Sequence, residues 1–512
     1  MNDNLFVALR DAFPADLDRV AIETAEGEAL YYTWRDLERG SAMLANLLGS
    51  LQLPAGARIA VQTEKSVEAL LLYLAVLRAG FVYLPLNVAY QAEEIEYFIG
   101  DAEPSVFVCA PESFARTSKI AFRAGTAHVY TLGSDRSGSL LERAAQHSDR
   151  HVAAVRRADE LAAILYTSGT TGRSKGAMLS HGNLLSNART LQRYWGWKPD
   201  DVLIHALPIF HVHGLFVASH GALLNGSKMI WFSRFDAPAV VARLPEATVF
   251  MGVPTFYVRL LAEAGLDRTA CQSMRLFVSG SAPLLLETFE DFRERTGHTI
   301  LERYGMSETV MLTSNPYFEA EGDRRGGTVG FALPGVGLRV VNAAGAPCPP
   351  EEIGAIQVRG PGVFSGYWRM PEKTRDEFTA DWFKTGDMGR LDATGRLTIV
   401  GRSKDLVISG GYNVYPAEIE SVLNELSGVA ESAVIGVPHA DFGEAVVALV
   451  VPRAGAQPEP AALIAALKGR IANFKVPKQV FVVPELPRNA MGKVQKNLLR
   501  EQHRTLFDPS EH

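Results

Sequence analysis

Two periods of apolar spacing run through this chain. Leu37, Ala42, Leu44, Leu47 and Leu48 recur on one helix face behind Thr33-Trp34-Arg35-Asp36, a hydroxyl and a carboxylate placed to cap a helix start. Short apolar runs at 58–61, 82–86 and 105–109 read as strands, separated by helical spacing at 67–77 and 92–98. The alternation resumes with strands expected at 161–166, 202–206, 249–253 and 276–279. Strands that alternate with helices predict βαβ units and a sheet covered on both faces. After a strand at 397–400 the pattern changes: Arg402-Ser403-Lys404-Asp405 is a polar interruption. Beyond it, Pro416 opens a helix, followed by strands at 432–437 and 445–451, a helix at 461–471 and a strand at 479–483. The expected fold is α/β, a large N-terminal multi-layer body over residues 1–401. A joint follows at 402–405, then a smaller, mobile α+β domain over 406–512.

Composition narrows the partners. There are 51 basic and 57 acidic side chains, a net charge of −6, and no basic stripe of the kind a nucleic-acid binder carries. Residues 202–227 contain no Asp, Glu, Lys or Arg, a run long enough to span a bilayer. His205, His211, His213, His220 and Pro208 fall inside it and would be costly there, so a buried core lined by imidazoles is expected instead of a membrane span. Cys109, Cys271 and Cys348 are too scattered for a disulfide framework. With no secretory pattern at the start, a reduced, cytoplasmic protein is expected.

The strongest local signal is Tyr166-Thr167-Ser168-Gly169-Thr170-Thr171-Gly172-Arg173-Ser174-Lys175-Gly176, directly after an apolar strand. Its glycines allow close backbone approach, its hydroxyls donate hydrogen bonds and Lys175 adds charge, which together suit a polyphosphate cradle. The Walker A spacing is absent, and the same composition also suits a plain surface loop. Glu302-Arg303-Tyr304-Gly305-Met306-Ser307-Glu308-Thr309 joins a ring able to stack on a base to a carboxylate able to hold magnesium. Trp382-Phe383-Lys384-Thr385-Gly386-Asp387 offers an acid for ribose hydroxyls, with Arg402 as a partner for the sugar or the α-phosphate.

Taken in order, these segments resemble the adenylate-forming superfamily of acyl-CoA synthetases, luciferases and peptide-synthetase adenylation domains, across nearly the whole chain. The resemblance implies a phosphate loop over 167–175, comprising Thr167, Ser168, Gly169, Thr170, Thr171, Gly172 and Lys175. It implies an adenine pocket from Gly280, Ser281, Ala282 and Pro283 with Glu302, Tyr304 and Gly305. It also implies Glu308 as magnesium ligand, Asp387 and Arg402 on the ribose, and Lys404 as hinge. Lys493, in Pro487-Arg488-Asn489-Ala490-Met491-Gly492-Lys493, resembles the catalytic lysine of adenylation, with Thr309 in support. The implied chemistry has two steps. A carboxylate attacks the α-phosphate of ATP, giving acyl-AMP and pyrophosphate. The C-terminal domain then rotates, bringing Gly410, Gly411 and Tyr412 to the site, where the thiol of coenzyme A takes the acyl group. Acetylation of Lys493 by a lysine acetyltransferase is expected to stop adenylation and spare thioester formation.

The acid to be activated is read from the wall around Phe210-His211-Val212-His213-Gly214-Leu215 and Gly252-Val253-Pro254-Thr255-Phe256-Tyr257-Val258-Arg259. These segments, with Arg303–Thr309 and Gly366-Tyr367-Trp368-Arg369-Met370-Pro371-Glu372-Lys373, resemble the malonyl-CoA synthetase branch. That implies malonate, and methylmalonate as a further substrate. Arg259 is expected to pair the distal carboxylate, with His211, His213, Ser279 and Met306 lining the pocket. Two other readings stand beside it: a CoA ligase for a medium-chain or aromatic monocarboxylic acid, and an adenylation module that loads a carrier protein.

Overall fold

The computed structural model describes residues 2–167, 174–410, 412–439, 441–489 and 492–507. The expected local elements form where the pattern places them. The helix Trp34–Ser50 starts at Thr33, whose hydroxyl accepts from the Asp36 N–H while the Asp36 carboxylate accepts from the Thr33 N–H. The helix Val67–Ala79 is buried from Val67 to Arg78, as a helix apolar on all sides must be.

The described strands form four sheets. A seven-stranded sheet runs Gly366–Tyr367, Lys175–Ser180, Leu161–Thr167, Val82–Pro85, Arg58–Gln62, Val106–Cys109, His128–Thr131. A nine-stranded sheet has at its centre Leu301–Met306, Leu276–Ser279, Val249–Gly252 and Val202–His205, all parallel. A single large apolar cluster draws on both sheets. The third sheet, antiparallel, contains Gly337–Val341, Gly354–Arg359, Trp382–Leu391 and Leu397–Arg402. Of its strands the sequence pattern identified only the last.

After a tight turn at Ser403–Asp405 comes the fourth sheet. Val429–His439 and Gly443–Pro452 form a long antiparallel pair, and Gln479–Val482 joins in parallel. The helices Pro416–Asn424 and Pro460–Lys468 cover one face and Lys496–Gln502 the other. The apolar clusters of this unit contain only residues from Val407 onward, and none of the body's clusters reaches past Ile399. Polar contacts cross between them instead. Arg453 pairs with both carboxylate oxygens of Glu287 at 2.7 and 2.6 Å.

No helix among the described residues is long and apolar enough to cross a membrane. The charge-free stretch folds as the strand Val202–His205 and a π-helical turn, His213–Ser219, a form the sequence pattern did not anticipate. Two of its imidazoles, His205 and His220, meet specific partners. The Gly214 carbonyl can only accept, so His205 donates to it from Nε2 (3.0 Å), leaving Nδ1 to accept from Lys65 Nζ at 3.0 Å. Tyr73 Oη lies 2.7 Å from His220 Nε2. Lys65 is buried over the face of Trp231, and burial pulls its ammonium well below the usual range.

Gly214 fixes this turn. A Cβ there would lie 2.1 Å from the Pro208 carbonyl oxygen, which is backbone and cannot swing aside. Gly214→Ala is therefore expected to destabilise the protein by about 1–3 kcal/mol, the usual range for overpacking, read as a lowered urea midpoint. An unchanged midpoint would show that the turn yields.

Candidate active site

In an open, largely parallel sheet the space beyond the carboxyl ends of the strands is where ligands bind. Three such ends meet here. Val249–Gly252 leads into the helix Pro254–Ala262, Leu276–Ser279 leads into Gly280, and Leu301–Met306 turns back through Ser307, Glu308 and Thr309 into Val310–Ser314. That turn is tight. A Cβ on Gly305 would fall 1.9 Å from the Val310 carbonyl oxygen, and Val310 itself is held at φ +56°, which a β-branched residue rarely adopts.

Register places Ser279 beside Glu302, so the residues that follow them, Gly280 and Arg303, also meet. The Arg303 guanidinium lies against Gly280, where a Cβ would come within 2.3 Å of its Cζ. Arg303 is 4% exposed, and its Nε and Nη2 have no hydrogen-bond partner. No carboxylate pairs with it among the described residues, and burial lowers it to about 9. Around it lie other buried groups without partners, His213 Nε2 and Ser279 Oγ. Ser281 Oγ sits 3.5 Å from His213 Nδ1. His211 accepts from the His213 N–H through Nδ1 at 3.3 Å. Burial, with Lys493 and Arg303 nearby, holds His211 down at about 3, so it is neutral. A pocket lined by neutral imidazoles and one unpaired guanidinium suits an anion.

On the other side, Tyr304 donates to Asp387 Oδ2 at 2.5 Å, and Arg402 Nε lies 3.0 Å from Asp387 Oδ1. Pairing of the third sheet sets Asp387 opposite Arg402. Glu308 is 6% exposed and pushed upward by burial. It accepts from the Tyr367 hydroxyl at 2.9 Å, and beside it the buried Thr309 hydroxyl has no partner. Lys175, at the start of the strand after the glycine-rich segment, lies 3.4 Å from Glu377 and 4.4 Å from the centre of the Tyr367 ring. Glu302 accepts from the Gly327 N–H at 3.0 Å, and burial raises it to about 8. Among the described residues no group of three or more His, Cys, Asp or Glu can hold a metal ion.

The C-terminal unit supplies one more cation. Gly492, at φ +73°, lies against Thr255, with 3.7 Å between its would-be Cβ and Thr255 Oγ1. Lys493 thus enters a cleft that still admits solvent. Crowding by protein, and then the charge of Arg402, lower its ammonium to about 8, while Asp387 and Glu308 act the other way.

Residues 10–368 match the family model described as AMP-binding enzyme, and residues 418–493 match that of the AMP-binding enzyme C-terminal domain. The chain belongs to the AMP-binding enzyme family. It is accordingly an ATP-binding, AMP-forming acid–thiol ligase. ATP-bound MatB from Rhodopseudomonas palustris is similar over 99% of this chain and 100% of that one, with 54% identity and a TM-score of 0.95. The mitochondrial malonate–CoA ligase of Mus musculus is 35% identical over 527 residues, 95% of this chain and 88% of that protein. A feruloyl-CoA synthase of an Amycolatopsis species is 33% identical over 478 residues, 92% of this chain and 94% of that protein. Relatives in this family thus differ in the acid they take, and the choice rests on the pocket.

The structure gathers His211, His213, Ser279, Gly280, Ser281, Arg303, Tyr304, Glu308, Asp387, Arg402 and Lys493 around one cleft. Ala282 and Pro283 continue from Ser281, and Met306 lies half-buried in the hairpin. Thr167 pairs across to Lys175, but Ser168, Gly169, Thr170, Thr171, Gly172 and Gly411 lie outside the described residues. Gly410 and Tyr412 are exposed and not brought to the cleft; Tyr412 stacks on Phe474. Lys404 is exposed in the turn Ser403–Asp405. Arg259 is exposed on a helix whose buried positions are Tyr257 and Leu260, one turn after Thr255, and no contact of its side chain with the cleft is seen among the described residues. The cation in the pocket is Arg303, which the sequence reading passed over. Its signal was a charged residue inside an otherwise buried strand.

The lowered Lys493 ammonium gives a pH dependence with a definite sign. The charged form prevails below about 8 and is lost above it. Pyrophosphate release is expected to fall as pH rises through that value, and Lys493→Ala to cut it roughly 100-fold or more. Thioester formation from preformed acyl-AMP should keep its rate in that variant.

Proposed function

We propose that this chain joins malonate to coenzyme A through malonyl-AMP, releasing pyrophosphate and AMP. The observation that carries the reading is the buried, unpaired Arg303 at the acyl end of the cleft. A dicarboxylate presents one carboxylate to ATP and needs a partner for the other. A guanidinium meets it with two parallel hydrogen bonds, and His213 and Ser279 bring further polar atoms that have no partner. A monocarboxylic acid would leave Arg303 buried and uncompensated, a costly arrangement. Similarity to the mouse malonate–CoA ligase points the same way.

In the first step one malonate carboxylate oxygen attacks the α-phosphorus, and the bond to pyrophosphate breaks. The nucleophile is already ionised, so no general base is needed. The barrier is the meeting of like charges. Lys493 faces the developing charge on the α-phosphate, and Lys175 with the 167–175 loop faces the departing phosphates. Gly280–Pro283 and Tyr304 flank the adenine, while Asp387 and Arg402 serve the ribose. Magnesium suits the donors at Glu308, a hard carboxylate beside the unpartnered Thr309 hydroxyl; such ions commonly take one carboxylate plus substrate phosphates. When bound it supplies charge neutralisation on the phosphates. For the second step the unit after residue 405 turns about Lys404, withdrawing Lys493 and bringing Gly410–Tyr412 to the pantetheine arm, whose thiol displaces AMP.

Pyrophosphate release with malonate, butyrate and 4-coumarate tests the reading. Arg303→Leu is expected to raise the malonate KM by roughly 100-fold or more, the worth of a bidentate charged pair, and to improve the relative use of butyrate. Full malonate use by Arg303→Leu, or a wild-type preference for 4-coumarate, would overturn it.

A further inference from the structure

The two groups assigned to the phosphates, Lys175 and Glu308, come from different sheets, and one side chain touches both. Gly366–Tyr367 is a two-residue strand at the edge of the seven-stranded sheet, paired with Met178 and Ala177 of the strand that Lys175 opens. It is tied down along its length. The Trp368 N–H donates to the Gly176 carbonyl at 2.7 Å and the Ser365 N–H to that of Met178 at 3.0 Å. Just upstream, the Phe364 N–H donates to the Glu308 carbonyl at 2.7 Å, which joins this edge to the hairpin of the other sheet. Tyr367 is 4% exposed, with Phe364 packed against it edge-on at 4.8 Å.

From this fixed position the ring does two things. Its hydroxyl donates to Glu308 Oε1 at 2.9 Å, inside the protein. The last torsion of a glutamate is soft, so a hydrogen bond to one oxygen is what sets where the other points. Its face meets the Lys175 ammonium 4.4 Å from the ring centre. A π-face attracts a cation, so the ring, with Glu377 3.4 Å away, fixes where the Lys175 ammonium sits.

We propose that Tyr367 is a positioning residue for phosphate activation: its hydroxyl orients the Glu308 carboxylate toward the divalent cation, and its ring presents Lys175 to the same phosphates. This rests on Glu308 as the magnesium ligand. Two readouts are followed in wild type, Tyr367→Phe, Glu308→Gln and the double variant. One is calorimetric binding of a non-hydrolysable ATP analogue with and without magnesium, and the other is the magnesium dependence of pyrophosphate release. Tyr367→Phe keeps the ring and the fold. It is expected to raise the magnesium needed for half-maximal effect about tenfold, within the range for an outer-shell partner. Binding without magnesium and the malonate KM should stay unchanged. In the Glu308→Gln background the same change should cost nothing further. Tyr367→Leu should in addition weaken magnesium-free nucleotide binding, because Lys175 loses its support. Wild-type magnesium dependence in Tyr367→Phe, or an equal loss in the Glu308→Gln background, overturns the proposal while leaving Glu308 as ligand. Wild-type magnesium dependence in Glu308→Gln overturns both.

Discussion

Asp387 is the point on which three parts of the molecule close. One carboxylate oxygen accepts from Tyr304, on the nine-stranded sheet, and the other faces Arg402, at the last position of the third sheet. The pairing of Asp387 with Arg402 across two antiparallel strands sets the geometry before any ligand arrives. Lys404 follows two residues later, so the turn toward the C-terminal unit begins from an anchored arginine. Without that carboxylate, Tyr304 and Arg402 would each lose a buried polar partner, and the Tyr304 wall of the cleft would no longer be tied to the turn.

The cleft is also an accumulation of positive charge. Burial first, and then the charges of Arg402 and Arg303, lower the Lys493 ammonium, and burial with Lys493 and Arg303 nearby keeps His211 neutral. Among the described residues Asp387 and Glu308 oppose them. A cleft with this balance of charge suits an anionic occupant. This is preorganisation: the electrostatic cost is met when the chain folds, not at the moment of reaction. The same imbalance makes substrate binding a large stabilising force on the folded state.

The sequence carried much of this, for identifiable reasons. Capping at Thr33 and the wholly apolar run 67–77 can each form only one kind of element, and both do. Segments whose chemistry is local, such as Tyr304 through Thr309, kept their meaning in three dimensions. What the pattern could not carry was facing. Arg259 and Arg303 bear the same charge in similar surroundings. The register that sets Ser279 beside Glu302 buries Arg303 at the cleft, while the helix that turns Tyr257 and Leu260 inward leaves Arg259 exposed. The third sheet was largely missed because its early strands, such as Gly337–Val341, carry little alternation of burial. The π-helical turn was invisible because His213–Ser219 is buried throughout and presents no period to read.

Among the described residues the body and the C-terminal unit share no apolar cluster, which has an energetic consequence. Their described ion pair, Arg453 with Glu287, is nearly half exposed on both sides. Such pairs contribute at most about 1 kcal/mol and weaken with salt. Among the described residues, docking of Lys493 into the cleft is therefore held by little beyond its own charge and the approach of Gly492 to the Thr255 side chain. Two arrangements of a unit so lightly tethered lie close in free energy, and a few kcal/mol of differential binding is enough to select between them. The occupant of the cleft then acts as the latch, so the position of the unit reports which substrate is bound.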